Sequence, residues 1–239
     1  MIRTMRTRKE TYDVKNYDDR HRSPMEKYSN SLWKPFLATR IKRLSSGVVS
    51  VDVGCGTGEY TKEMAGARKI TGIDISPGMI SFARKKMKSA GVKATFILSD
   101  AQHMPIAANS VDFVSCIGLL EYVDPRKTLA ECRRILKPGG KMLVVAPNKW
   151  NPYIIAMRIN GWMKGTHDKK DRSVGEIVSV SAGLGMLPKE AGSFAVVTYC
   201  PARLQGACVI LWKLLDAAAR PLGKKIFLGK NFYIVLEKK

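Results

Sequence analysis

A largely parallel β-sheet with helices on both faces is the fold class this sequence predicts, and three features predict it. Apolar or β-branched runs alternate with segments of helical spacing across residues 48–146. The run Val111–Ile117 is apolar at nearly every position, as expected for a strand covered on both faces. A glycine-rich turn, Gly54-Cys55-Gly56-Thr57-Gly58, follows the first strand and opens the next element. Such alternation builds βαβ units, whose right-handed crossovers send helices to both faces of one sheet.

Taken in order, residues 1–46 are polar, with helical spacing over 31–44, and are expected to form a helical lid segment. Strands are expected at 48–53, 69–75, 94–98, 111–117 and 141–146. Residues 57–65 read as a helix opened by the glycine turn. Pro77 suits a first helical turn, with Met79, Phe82, Ala83 and Met87 at helical spacing after it. Residues 125–136 place Leu129, Cys132, Ile135 and Leu136 on one face, and Lys137-Pro138-Gly139-Gly140 is a strong helix stop. The rhythm then loosens. Residues 148–172, with Trp150 and Trp162, read as a cap segment inserted in the main domain, 47–239. A helix at 173–184, a strand at 193–198, an amphipathic helix at 202–220 and a strand at 231–236 complete the pattern. The apolar stripe Leu204, Cys208, Leu211, Leu215 and Ala218 is the face expected to dock that late helix on the sheet.

Composition narrows the class. The chain has 239 residues, 45% of them hydrophobic, which suits one domain with a sizeable core. The five cysteines are scattered and form no C-x-x-C pair, so neither a disulfide scaffold nor a metal site is expected. The basic N-terminus lacks the apolar core of a secretory signal, and no uncharged run is long enough to span a bilayer, so a cytoplasmic location is expected. Lys and Arg number 41 against 20 Asp and Glu, a net charge of +21. That excess favours polyanions: nucleic acid, an anionic membrane surface or phosphorylated substrates. The cations form no single focused patch, so a merely well-solvated surface explains them as well.

The chemistry gathers around the glycine loop. Glycines at 54, 56 and 58 let backbone approach a ligand closely at a turn whose free N–H groups favour negative charge. Asp74 ends the second strand 20 residues after Gly54, where an acid accepts hydrogen bonds from ribose hydroxyls. The spacing Gly54-x-Gly56-x-Gly58 is not the G-x-G-x-x-G of a dinucleotide site, and Asp52 before the loop would repel a pyrophosphate. A carboxylate there suits the ammonium end of an amino-acid moiety, directly or through water. The two acids therefore fit S-adenosylmethionine (SAM) better than NAD.

Residues 51–58, Gly72-Ile73-Asp74-Ile75-Ser76, residues 99–105, Val111-Asp112-Phe113-Val114 and Leu136-Lys137-Pro138-Gly139-Gly140 stand in an order that resembles the class I SAM-dependent methyltransferases. The resemblance is strongest to the subfamily that includes the ubiquinone and menaquinone C-methyltransferases. It implies a Rossmann-like, doubly wound, seven-stranded sheet with an antiparallel last strand. It implies a cofactor site of Asp52, Gly54, Cys55, Gly56, Gly58, Asp74, Ile75, Asp100, Ala101, Cys116 and Ile117. In that site Asp74 binds the ribose, Asp100 accepts from the adenine amino group, the Ala101 N–H serves the ring, and Cys116, Ile117 and Gly118 lie beside the methionine portion. Many relatives carry a histidine shortly after the fourth strand. Here the segment reads Leu119-Leu120-Glu121-Tyr122-Val123, so Tyr122 and Glu121 become the catalytic candidates. His21, His103 and His167 are more simply surface residues, and Asp112 a residue that caps or orients its strand. The acceptor expected from the resemblance is a small or lipid-like molecule. An RNA methyltransferase, suggested by the charge, and a non-catalytic SAM-binding regulator are the alternatives.

Overall fold

The computed structural model describes residues 23–163, 172–194, 204–219 and 229–239. Its centre is a seven-stranded sheet of β1 (Val49–Val53), β2 (Lys69–Asp74), β3 (Thr95–Leu98), β4 (Val111–Ile117), β5 (Leu136–Pro147), β6 (Met186–Phe194) and β7 (Asn231–Lys238). The spatial order is β3-β2-β1-β4-β5-β7-β6. The β1–β2, β1–β4, β2–β3 and β4–β5 pairs are parallel, and β7 runs antiparallel to both β5 and β6. The antiparallel last strand is thus present, inserted between its two predecessors.

Alternating side chains divide the core between the two faces, as strand pleating requires. Val114 and Cys116 of β4, Val144 of β5 and Ile234 of β7 face the layer formed by α3 (Pro125–Ile135) and α5 (Val174–Gly183), which contribute Leu129, Cys132 and Ile177. Phe113, Leu143, Val145 and Val235 face the other layer, where α1 (Pro24–Ser45) supplies Leu37 and Ile41. On that same layer α2 (Pro77–Ser89) packs Ile80, Ala83 and Met87 against Phe96. Asp112, near the start of β4, accepts from the Val49 N–H and from Lys137. It orients its strand, as expected from the sequence.

Helix α1 begins within residues 1–46, and its second half is core. Met25 and Tyr28 in its first half pack on α6 (Gln205–Ala219) through Trp212, whose backbone carbonyl accepts from the Tyr28 hydroxyl at 3.1 Å. Helix α4 (Pro152–Met163) occupies the cap segment, its N-terminus capped by Asn151, which accepts from the Tyr153 and Ile154 N–H groups.

Four elements differ from the sequence reading. Residues 57–65 yield only a 3-10 turn, Thr61–Met64, because the Gly58 N–H closes on Cys55 and the chain turns before a helix can start. Lys137–Gly140 do follow the end of the helix at Ile135, but they belong to β5, which starts before the expected residue 141. Leu136 pairs with Val111 and the register resumes at Lys141 opposite Phe113, so these residues form an irregularity in the strand. Strand β6 is Met186–Phe194, earlier than 193–198, whose residues 195–198 lie outside the described part. Its alternation is broken by Pro188, Gly192 and a register shift between Pro188 and Glu190, which hid it. Finally, α6 docks on α1 through Trp212, with Cys208, Val209 and Leu215 beside it, while Leu204 and Leu211 of the expected stripe are exposed. The largest side chain set the docking face.

Candidate functional site

The loop after β1 folds back over the end of β2. The Gly54 and Cys55 N–H groups both donate to the Ile73 carbonyl, at 2.8 and 2.9 Å. Gly56, at φ +51°, donates to the Asp74 carboxylate at 2.9 Å, and among the described residues nothing stands within 4 Å of where its Cβ would be. Gly58, at φ +80°, is different, because a Cβ there would meet Met87 at 3.2 Å and Ala83 at 3.3 Å. One glycine therefore keeps space open, and the other lets α2 pack closely. Cys55 is buried beneath the loop, and burial pushes its thiol well up.

Asp74 sits at the carboxyl edge of the sheet. Its oxygens accept the backbone N–H groups of Gly56 and Ser76, each at 2.9 Å. Burial raises its pKa, opposed by hydrogen bonds from the Ser76, Gly56 and Ile75 amides. A carboxylate offers about four lone-pair sites, so acceptor capacity remains for a ligand. Beside it Ile75 is 38% exposed and Leu98, at the end of β3, is 54% exposed. Asp100 follows β3 and accepts from the Gln102 N–H at 2.9 Å, with Ala101 buried next to it. An acid with spare acceptor sites, open space at Gly56 and uncovered apolar side chains fit an adenosine-bearing group.

Asp52 lies a layer deeper. It is 2% exposed, and its oxygens accept from the Thr61 hydroxyl at 2.6 Å and the Ser115 hydroxyl at 2.5 Å. Burial raises its pKa, partly countered by those two hydroxyls, while the Asp74 charge adds to the rise. Its contacts tie the floor of the loop to β4. Ser115 is its register partner across the β1–β4 pair, so two polar residues facing each other in apolar strands were a signal the sequence held.

The far side of the site comes from β4. Val53 and Cys116 are register partners, so the loops after β1 and β4 leave the sheet side by side. The Cys116 side chain is fully buried in the core, where desolvation pushes its thiol well up, so only its backbone faces the edge. Ile117 is half-buried, and Gly118, at φ +65°, turns the chain. Leu119 then folds over Gly54, its Cδ1 at 3.0 Å from the would-be Cβ. Glu121 is 6% exposed, its Oε1 3.9 Å from the would-be Cβ of Gly118, while Tyr122 is half-buried and donates its N–H to the Leu119 carbonyl. Both candidates thus stand in the turn beside the glycine loop. His103 is exposed, and His21 and His167 lie outside the described residues.

Two residues that sequence reasoning missed hold this arrangement. Arg172 donates to the Leu120 carbonyl at 3.1 Å, to the Val123 carbonyl at 3.2 Å and to Glu176 at 2.8 Å, clamping the turn that carries Glu121 and Tyr122. The two carbonyls it clamps are some fifty residues away, so no local pattern announces that role. Glu59, at the end of the glycine loop, pairs with Lys34 of α1, Lys62 and Lys86 of α2. Burial alone would raise its pKa, but the hydrogen bond from Lys86 and the charges of Lys86, Lys34 and Lys62 bring it down to about 2.

A concavity of about 500 Å³ lies elsewhere, lined by Arg68, Lys69, Arg84, Lys88 and Lys93 at the opposite, amino-terminal end of β2 and β3. Met87 and Phe96 also line it, but Asp52, Asp74, Asp100, Glu121 and Tyr122 do not. Among the described residues there is no cluster of His, Cys, Asp or Glu fit to hold a metal, and no helix long and apolar enough to cross a membrane.

Residues 51–144 match the family described as methyltransferase domain. The chain is 31% identical over 179 residues to a ubiquinone biosynthesis O-methyltransferase of Xanthomonas axonopodis pv. citri, covering 63% of this chain and 74% of that protein. It is 33% identical over 135 residues to a demethylmenaquinone methyltransferase of Bacillus velezensis, covering 54% of this chain and only 57% of that relative's length. In three dimensions it resembles magnesium protoporphyrin IX methyltransferase from Synechocystis PCC 6803 with bound SAH, with a TM-score of 0.64 and 13% identity over 90% of this chain and 86% of that one.

Proposed function

The chain belongs to the SAM-dependent methyltransferases, and from that premise we propose that it methylates a small, lipid-like acceptor of quinone type. The observation that carries this reading is the apolar character of what stands at the carboxyl edge of the sheet. There α4 presents Ile154, Ile155 and Met157, each half-buried or exposed, directly after the end of β5. The names of the two relatives above point to quinone chemistry as well.

SAM, when bound, supplies a methyl group already activated for in-line displacement. The chain's own residues then bind, orient and exclude water. In this proposal Asp74 accepts from the ribose hydroxyls and Asp100 from the adenine amino group, with the Ala101 N–H serving the ring. Ile75 covers one face of the base. The Gly54–Gly58 loop passes beside the amino-acid portion, which the backbone of Cys116 and Ile117 flanks from β4. Asp52, with both oxygens engaged by Thr61 and Ser115, acts through the loop it holds. Glu121 and Tyr122 face the acceptor side, where either can take up an acceptor proton.

The experiment is transfer of tritiated methyl from SAM into fractionated cell extract by the purified protein. Label in the organic-solvent fraction is the expected result. Label in RNA would establish the RNA reading instead, and SAM binding without any transfer would make the protein a regulator.

A further inference from the structure

We propose that α4 and α6 form a docking face for an anionic phospholipid bilayer. A helix packed on a domain is ordinarily polar on its outward side. On α6 the inward side is Trp212 with Cys208, Val209 and Leu215, and the outward side is apolar too. Ile210 is 68% exposed, Leu211 51% and Leu214 64%, at the i, i+1, i+4 spacing of a single helical face, with Leu204 at 57% just before the helix. Helix α4 repeats the pattern. None of its side chains described at 152–160 is buried, and Met157 and Ile159 are 44% and 52% exposed. Trp150, 68% exposed before α4, has the Lys149 ammonium 5.1 Å from its ring centroid. An aromatic ring paired with a cation suits the boundary between headgroups and acyl chains.

The two helices share one side of the molecule. Tyr153 of α4 packs in the same cluster as Tyr28 of α1 and Trp212 of α6. Topology gives the same answer. The chain leaves β6 at Phe194 and enters β7 at Asn231, which are register partners, and Asn231 also pairs with Pro147 at the end of β5. Both helices are therefore inserted at the carboxyl edge, the edge that carries the glycine loop.

Charge selects the occupant. Among the described residues Lys149 stands beside Trp150 and Lys230 beside Tyr153 of α4, in a chain of net charge +21. Exposed Lys213 stands beside the apolar face itself. An amphipathic surface with apolar centre and cationic flanks is drawn to anionic lipid by both contributions. A second copy of this chain would bring the same cations together and is disfavoured for that reason. The inference rests on this surface alone and stands whatever the methyl acceptor is.

Co-sedimentation of the full chain with vesicles tests it. Vesicles of mixed phosphatidylglycerol and phosphatidylcholine should carry the protein down, less so at high salt, and vesicles of phosphatidylcholine alone should leave most of it in solution. The double variant Ile210→Gln, Leu214→Gln should weaken partitioning at least about tenfold. Calorimetric SAM binding, unchanged in the variant, shows that it is folded. Failure of the unaltered chain to bind the anionic vesicles overturns the proposal, as does equal binding by the variant. It is overturned as well if sedimentation velocity shows a dimer that the double variant converts to monomer, because a second copy then covers the face.

Discussion

Replacing Gly56 with alanine separates what the loop does for the fold from what it does for the cofactor. Gly56 holds φ +51°, and among the described residues no atom lies within 4 Å of the added methyl group. The cost to the fold is then the left-handed backbone alone, roughly 1–2 kcal/mol. In a chain of 239 residues that lowers Tm by about 2–6 °C. Gly58→Ala carries the same strain at φ +80° and adds contacts with Met87 at 3.2 Å and Ala83 at 3.3 Å. Overpacking adds about 1–3 kcal/mol, for a total of roughly 2–5. If SAM fills the space beside Gly56, the methyl group displaces it, and the Gly56→Ala Kd should rise at least about tenfold, a loss near 1.4 kcal/mol. Scanning fluorimetry without ligand gives the stabilities, and titration calorimetry gives the SAM affinities. The reasoning is refuted if Gly56→Ala binds SAM within about threefold of the unaltered chain, or if it is destabilised as much as Gly58→Ala.

Further outcomes follow from the contacts of Asp74, Glu59 and Arg172. Asp74→Asn replaces one of two acceptor oxygens with an N–H₂ that confronts a backbone N–H, so calorimetry should show SAM binding weakened by about 1.5–3 kcal/mol. Because burial raises the Asp74 pKa, the affinity of the unaltered chain should begin to fall at higher pH than an ordinary aspartate would allow. Glu59 titrates near 2 in the folded chain against 4.5 otherwise, so its contribution is present above about pH 4.5 and is lost as pH falls toward 2. With Lys34 and Lys62 42% and 36% exposed, that contribution is discounted to about 1 kcal/mol. Glu59→Gln should therefore lower Tm by a few degrees at neutral pH and leave it unchanged near pH 2. Arg172→Gln should lower kcat by roughly ten- to hundredfold while SAM affinity stays within about twofold, since it frees the turn bearing Glu121 and Tyr122 but not the cofactor loop. Arg172→Lys should not restore kcat, because an ammonium cannot bridge two carbonyls and a carboxylate as the guanidinium does.

The sequence by itself determined the parallel half of the fold and the place of the glycine loop and Asp74 at its carboxyl edge. The apolar run of β4, the β-branched runs of β1 to β3 and residues 142–146 of β5 are local patterns legible at short range, as are the positive-φ glycines of the loop and the position of Asp74 at the end of β2. Tertiary structure alone decided the remainder, because it depends on contacts between distant residues. Strand β6 exists through its pairing with β7 despite Pro188 and Gly192. Asp52 faces inward because Thr61 and Ser115 meet it there, a placement that a residue's position before a glycine loop does not specify. The orientation of α6 was decided by Trp212 finding Tyr28 across 184 residues, which turned Ile210, Leu211 and Leu214 outward. The helical period of the sequence shows two apolar faces on that helix, and only the packing of its largest side chain selects which of them is left to the surface.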